Sequence, residues 1–181
     1  MISSPPTPRL ATLQDVGRMR SLMRNAIEKM SEGIYTKDQT RAAAEYLCVP
    51  DCSLIEDGTS YVIEIEGTMV AVGAWSTRQK LYSGSEDQEF LTDRVIPGLD
   101  AAKLRAFFVE PAFAGQGFGR LLYHTCEDAA VQMGFTDLEL LATLPGVQFY
   151  ERLGFTAMGI VEIELLDGTL LPCKPMQKPL F

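Results

Sequence analysis

Three glycines at alternate positions, Gly115, Gly117 and Gly119, stand in the stretch "FFVEPAFAGQGFGRLLYHTCEDA" between an apolar run ended by Pro111 and a segment of helical periodicity. A chain that passes from strand to helix through such residues either turns tightly there or lets another molecule approach its backbone. The first amides of a helix lack intrahelical partners, and together with the helix dipole they form an anion site. The ligand expected at such a loop carries phosphates, with Arg120 and Arg105 as nearby cations.

The flanking pattern places this loop inside an α/β chain. After a Pro-rich leader over residues 1–8, read as flexible, "PRLAT" reads as a short strand, and Thr12 with Asp15 starts a helix running to Met30. Thr36 with Gln39 caps a second helix that runs toward Cys48. "SYVIEIEGTMVAVGAWST" alternates with period two around Glu66-Gly67 and reads as a hairpin. Residues 78–100 are polar and irregular, a long loop or a short helix whose length makes it either functional or mobile.

"AKLRAFFVEP" is then a strand, followed by the glycine loop and a helix from Gly117 to Met133 with Leu122, Cys126, Ala129 and Met133 on one stripe and Gly134 at its end. "TDLELLATL" comes next as a strand, "GVQFYERLGF" as a short helix stopped at Gly154, and a final hairpin turns at Asp167-Gly168. The fold class is α/β: a mixed, mostly antiparallel central sheet of about 6–7 strands flanked by helices, with a central βαβ unit, in a single domain over 1–181.

Composition narrows the function classes. The formal net charge of −8 with no cluster of Lys and Arg argues against nucleic acid as a partner. No apolar run is long enough to span a bilayer and the N-terminal segment lacks the pattern of a signal peptide, so neither a membrane partner nor export is expected and the expected location is cytoplasmic. Cys48 and Cys52 have no second metal-type pair, and no metal is expected.

Three kinds of phosphate loop compete at the glycines. A Walker loop needs Lys and then Ser or Thr after its last glycine, where this chain has Arg120 and Leu121. The dinucleotide fingerprint needs G-x-G-x-x-G, whereas the spacing here is G-x-G-x-G. The run Ala114-Gly115-Gln116-Gly117-Phe118-Gly119, preceded by "RAFFVEP", instead resembles motif A of the GNAT superfamily, the GCN5-related N-acetyltransferases. Downstream, Thr143, Gly146, Tyr150 and Gly154-Phe155 match the family's Asn, Ala, Tyr and Gly-Phe spacing. Ala114 stands where the family usually has Gln or Arg, and Thr143 where it usually has Asn.

The resemblance implies a GNAT fold whose acetyl-CoA-binding core spans residues 103–155, with acetyl-CoA as cosubstrate. It implies cofactor contacts from Phe107, Phe108, Val109, Ala114, Gly115, Gln116, Gly117, Phe118, Gly119, Arg120, Thr143 and Tyr150. The edge of the strand at Phe107 to Val109 would pair with the pantetheine arm, the Val109 amide would polarise the thioester carbonyl, and Tyr150 would protonate the departing thiolate. The proton of the incoming amine would go to Glu64, Glu66, Glu110 or water.

The implied activity is transfer of an acetyl group from acetyl-CoA to a primary amine of a small molecule, peptide or protein, by direct attack in a ternary complex. The acceptor pocket is expected from the helix pair Asp15 to Cys48, the loop 78–100 and the closing hairpin. A catalytically silent CoA-binding sensor or interaction domain is the alternative, and a second copy of the chain is a candidate partner through "IVEIELL". The plainer readings make Gly117 and Gly119 packing residues, Tyr150 a core aromatic, Cys126 a small core residue and His124 a surface partner of Glu127 and Asp128.

Overall fold

A computed structural model describes residues 5–181; Met1 to Ser4, the first half of the expected leader, lie outside the described residues. The elements in order are β1 (Arg9–Leu10), α1 (Val16–Met30), α2 (Lys37–Ala42), α3 (Cys52–Glu56), β2 (Ser60–Ile65), β3 (Thr68–Ser76), α4 (Glu86–Glu89), β4 (Ala102–Val109), α5 (Phe118–Gln132), β5 (Asp137–Thr143), α6 (Val147–Arg152), β6 (Thr156–Ala157), β7 (Val161–Glu164) and β8 (Leu170–Pro179). The described strands form one sheet in the order β1-β2-β3-β4-β5-β8-β6, with β7 also paired to β8. Every pairing is antiparallel except β4 with β5, as the crossover helix α5 between them requires. The helix α3 was not legible in the sequence.

Local signals set most of these boundaries. At the start of α2 the Gln39 amide donates to Thr36 Oγ1 at 3.1 Å while the Thr36 amide donates to Gln39 Oε1 at 3.0 Å, a closed capping box. Asp15 accepts from the Thr12 amide at 2.8 Å ahead of α1, and Arg9 and Arg18 close on the same carboxylate. Gly134, at φ +94°, ends α5 with the Phe135 amide turned back to the Ala130 carbonyl.

Both faces of the sheet are covered, so β3 is buried along nearly its whole length. On one face Met19, Leu22, Met23 and Ile27 of α1 pack on Val62, Val72 and Leu171. On the other, Tyr123, Cys126 and Ala130 of α5 pack on Trp75, Leu104 and Leu138. Each Leu, Ile, Val or Met side chain among them taken out of water contributes about 1.5–3 kcal/mol. The buried stripe of α5 runs through Leu122, Tyr123, Cys126 and Ala130; Met133, expected on it, is the C-cap residue beyond the last helical residue Gln132 and is exposed where the stripe ends with the helix.

Besides a register shift between Ile63 and Glu64 in the β2–β3 pairing, the sheet is irregular along β4. A bulge shifts its register against β3 between Val72 and Ala74, and Ala106 within it adopts φ +55°. Gly73 faces the bulge, and a Cβ there would meet the ring of Phe107 at 3.1 Å, so the ring occupies the space a side chain would need. Between β4 and β5, paired residues occur only at Ala102 with Leu138 and Lys103 with Glu139, where the two side chains of the latter pair also form an ion pair. Beyond them β4 and β5 part. No helix among the described residues is long and apolar enough to cross a membrane.

Candidate active site

The parting of β4 and β5 leaves one edge of β4 without a strand partner, and backbone parity identifies which groups face it. The Glu110 amide donates to the Val70 carbonyl of β3 at 2.8 Å. Alternation along the strand therefore turns the neighbouring Val109 amide away from β3, toward the gap. Immediately beyond Val109 the chain makes one turn at Pro111–Phe113 and enters the glycine loop.

The loop is a cluster of unengaged donors. The amides of Gly115, Gln116, Gly117, Phe118, Gly119 and Arg120 donate to no backbone acceptor among the described residues, and the first amide of the helical ladder is that of Leu121, bonded to Gly117. Gly115 and Gly117 take φ +76° and +88°, and open space lies where their side chains would be. Gly119 is different: a Cβ there would sit 3.1 Å from the Phe149 ring and 3.6 Å from Val109 Cγ2. Two of the glycines thus permit a left-handed turn with open space beside it, while the third lets α5 close on α6 and β4, the packing role that the sequence had made the plainer reading.

Other loop residues divide similarly. Phe118 turns its ring into the core beside Phe113, with centroids 6.5 Å apart, so only its backbone faces the loop. The Ala114 amide is already bonded to the Pro111 carbonyl. Arg120 is exposed and forms no salt bridge among the described residues, leaving its charge at the loop. Arg105, expected as a second cation here, is buried on the α1 face of the sheet and pairs with Asp51 at 2.8 Å.

The gap opens into a cavity of about 90 Å³ lined by Phe107, Phe108, Thr143 and Tyr150 together with Met23 and Ile27 of α1. Leu81, Tyr82 and Ser83 of the long loop form another wall, so that loop has a definite place at the site. The closing hairpin, expected here, does not line it. Three aromatic rings hold Tyr150 edge-on: Phe149 at 5.1 Å, Phe155 at 5.9 Å and Phe107 at 6.5 Å between centroids. Its hydroxyl makes no hydrogen bond among the described residues, and burial pushes its pKa above the ordinary tyrosine value. Burial likewise pushes up the Cys126 thiol on the buried stripe of α5.

The three carboxylates expected as bases do not line this cavity. Glu64 is clamped by Arg9 at 2.9 Å and Arg18 at 2.5 Å, and Glu66 sits exposed in the β2–β3 turn. Glu110 comes after β4, outside the cavity wall. His124 is exposed and lies edge-on to Tyr123 at 5.2 Å, while Glu127 pairs with Lys178 and the Tyr123 hydroxyl. No group of three or more His, Cys, Asp or Glu side chains able to hold a metal occurs among the described residues.

Two contributors escaped sequence reasoning. The Tyr35 hydroxyl accepts from the Leu144 amide at 2.9 Å and donates to the Pro172 carbonyl at 2.6 Å, fixing the corner between β5 and α6. Asp51 N-caps α3 through the Ser53 amide at 3.0 Å and pairs with Arg105 in the cavity wall. Only the Asp-x-Ser start of α3 was a local signal; the partners lie far away in the chain.

The sequence profile of the Acetyltransferase (GNAT) family matches residues 24–155. No curated protein sequence matches the chain. Among solved structures, a GCN5-related N-acetyltransferase from Rhodopseudomonas palustris superposes with TM-score 0.72 at 18% identity, covering 99% of this chain and 98% of that one. PaiA N-acetyltransferase from Thermoplasma acidophilum, in complex with coenzyme A, gives 0.65 at 12% identity over 97% and 99% of the two chains. YncA, a putative acetyltransferase from Salmonella typhimurium with its cofactor acetyl-CoA, gives 0.61 at 18% identity over 98% and 95%.

Proposed function

The chain belongs to the GNAT acetyltransferase family, and from that premise we propose that it transfers an acetyl group from acetyl-CoA to a primary amine by direct attack in a ternary complex. One observation carries the reading. The six unengaged amides of Gly115 to Arg120 lie at the end of β4, whose Val109 amide faces the gap that leads to Tyr150. A phosphate-bearing cosubstrate with a long amide-containing arm matches that sequence of donors, and the acetyl-CoA and coenzyme A held by two of the structural neighbours have that form.

Each residue then has a distinct part. The amides of Gly115 to Arg120, with Arg120, hold the pyrophosphate; Ala114 contributes the approach of its backbone. Phe107, Phe108 and Val109 offer their strand edge to the pantetheine arm, and Thr143 lies across the gap from it. The Val109 amide stabilises negative charge developing on the thioester oxygen. Tyr150, kept protonated by its apolar surroundings, delivers its proton to the sulfur as the carbon–sulfur bond breaks and the new carbon–nitrogen bond forms. With no carboxylate of Glu64, Glu66 or Glu110 in the cavity wall, the proton of the amine leaves through water.

Calorimetric titration with acetyl-CoA, ATP and NADH tests the cosubstrate, run in parallel on the Gly117→Val variant. Saturable binding of acetyl-CoA alone, lost in the variant, is expected, followed by amine-dependent thiol release. Absence of acetyl-CoA binding would return the glycines to a structural role.

A further inference from the structure

Resting on that activity, we infer that the acceptor carries a carboxylate beside its amine, and that Arg105 in the cavity wall receives it. Arg105 is 5% exposed, and its guanidinium presents two edges. Nη1 bonds Asp51 Oδ2 at 2.8 Å. The Nε–Nη2 edge is open: Nε has no partner, and Nη2 reaches only Ser83 Oγ at 3.4 Å, the outer limit of a hydrogen bond. A buried charged donor left unpaired is costly, and such an orphan calls for a partner that arrives from outside the chain.

The same molecule shows what that edge takes when it is filled. Arg78 offers Nε at 2.7 Å and Nη2 at 2.8 Å to the two oxygens of Asp57, a planar two-point match to a carboxylate. Asp51 cannot supply the same match to Arg105. Its Oδ1 accepts from the Ser53 amide and hydroxyl at 3.0 and 2.6 Å, and its Oδ2 accepts from Arg105 and faces Lys80 at 3.5 Å. These partners keep it ionised, with every oxygen occupied, so it serves neither as a base nor as a seat for the incoming ammonium.

The charges around this edge balance, Arg105 and Lys80 against Asp51 and the half-exposed Glu89, so what the wall offers an incoming group is the unfilled Nε–Nη2 edge. Met23, Ile27, Leu47, Val49 and Leu54 supply the apolar remainder of the same cavity. The complementary molecule is a small amino acid with an apolar body. Ser83 gives up its 3.4 Å contact when the carboxylate enters, since Nε is closed to solvent until then.

The test uses leucine, methionine and β-alanine, each beside its carboxamide and a peptide bearing the same N-terminal residue. Acetyl-CoA binding is measured first on the same preparation; its absence overturns the activity on which the inference rests. Next, each ligand is titrated into CoA-saturated protein, and thiol release is monitored with acetyl-CoA. A preference of roughly ten- to a hundredfold for a carboxylate over its carboxamide is expected, in binding and in kcat/KM, because a charge-assisted pair is exchanged for a neutral one. In Arg105→Lys that preference should fall to a few-fold with the acetyl-CoA affinity unchanged, because an ammonium lacks the two-point edge. Acetyl-CoA binding with equal response to acid and amide, a preference for the peptides, or no response to any of them overturns the inference alone. The wild-type comparison decides even if the Arg105 variant does not fold.

Discussion

The Tyr35 hydroxyl holds the Leu144 amide at 2.9 Å, joining the segment after α1 to the corner from which α6 and Tyr150 depart. The same oxygen donates to the Pro172 carbonyl of β8, so one phenol spans sequence separations of 109 and 137 residues. Tyr35→Phe keeps the ring and orphans both backbone groups, at a cost of about 1–3 kcal/mol. The expected outcome is a lowered melting temperature together with a lowered kcat, the acetyl-CoA affinity being unchanged because the glycine loop is not touched. Unaltered kcat in a destabilised variant would limit Tyr35 to the fold.

Gly119 and Gly117 make opposite predictions although they are two residues apart. Alanine at Gly119 drives a methyl into the Phe149 ring, costing about 1–3 kcal/mol of overpacking, and Phe149→Leu in the same chain should recover most of it. Alanine at Gly117 meets open space, and its cost of about 1–2 kcal/mol comes from the left-handed backbone. Phe149→Leu should leave that cost intact. Chemical denaturation of the two double-mutant cycles measures both couplings, and equal couplings would refute the division of roles.

Legibility in the sequence tracked the range of the interaction. The Thr36–Gln39 box, the Glu66-Gly67 turn and the Gly134 cap each depend on residues within a few positions, and each stands where the residue pattern put it. The glycine loop was legible as a run of unengaged backbone amides for the same reason, but nothing local separates Gly119 from its two neighbours, because the atom that excludes a side chain belongs to Phe149. Arg105 was expected as a cation beside the glycine loop and instead pairs inside the protein, since its partner Asp51 lies 54 residues away and the bulge at Ala106 breaks the alternation that a strand reading assumes. The expected bases failed similarly: strand logic placed Glu64 near the site, and Arg9 and Arg18 hold it elsewhere.

Tyr150 is separable from the fold because its hydroxyl has no protein partner among the described residues. Tyr150→Phe should therefore leave the melting temperature and acetyl-CoA affinity near wild type while lowering kcat on the order of a hundredfold, as loss of a general acid does. Burial raises the phenol pKa, so the acid form persists past the ordinary value near 10. The wild-type kcat should show no decline between pH 8 and pH 10 that disappears in the phenylalanine variant. Such a decline would mean that the phenol ionises early, against its apolar setting.

Asp57 ties the long loop to the body of the protein through Arg78 at 2.7 Å and Arg94 at 3.0 Å. Hydrogen bonding from Arg78, then from Arg94, outweighs burial and lowers its pKa to about 2. A carboxylate depressed in the folded state stabilises fully above its unfolded value near 3.9, and the contribution is lost as pH falls toward about 2. The difference corresponds to about 2 kcal/mol near neutrality. Asp57→Asn should lower the melting temperature by roughly 4–8 °C at pH 7, and the gap between variant and wild type should narrow as pH is lowered from 4 to 2.5. Because Leu81 to Ser83 line the cavity, the variant should also weaken acceptor turnover at pH 7. A gap in melting temperature that is the same at every pH would show that the substitution acts through packing and not through the ion pairs.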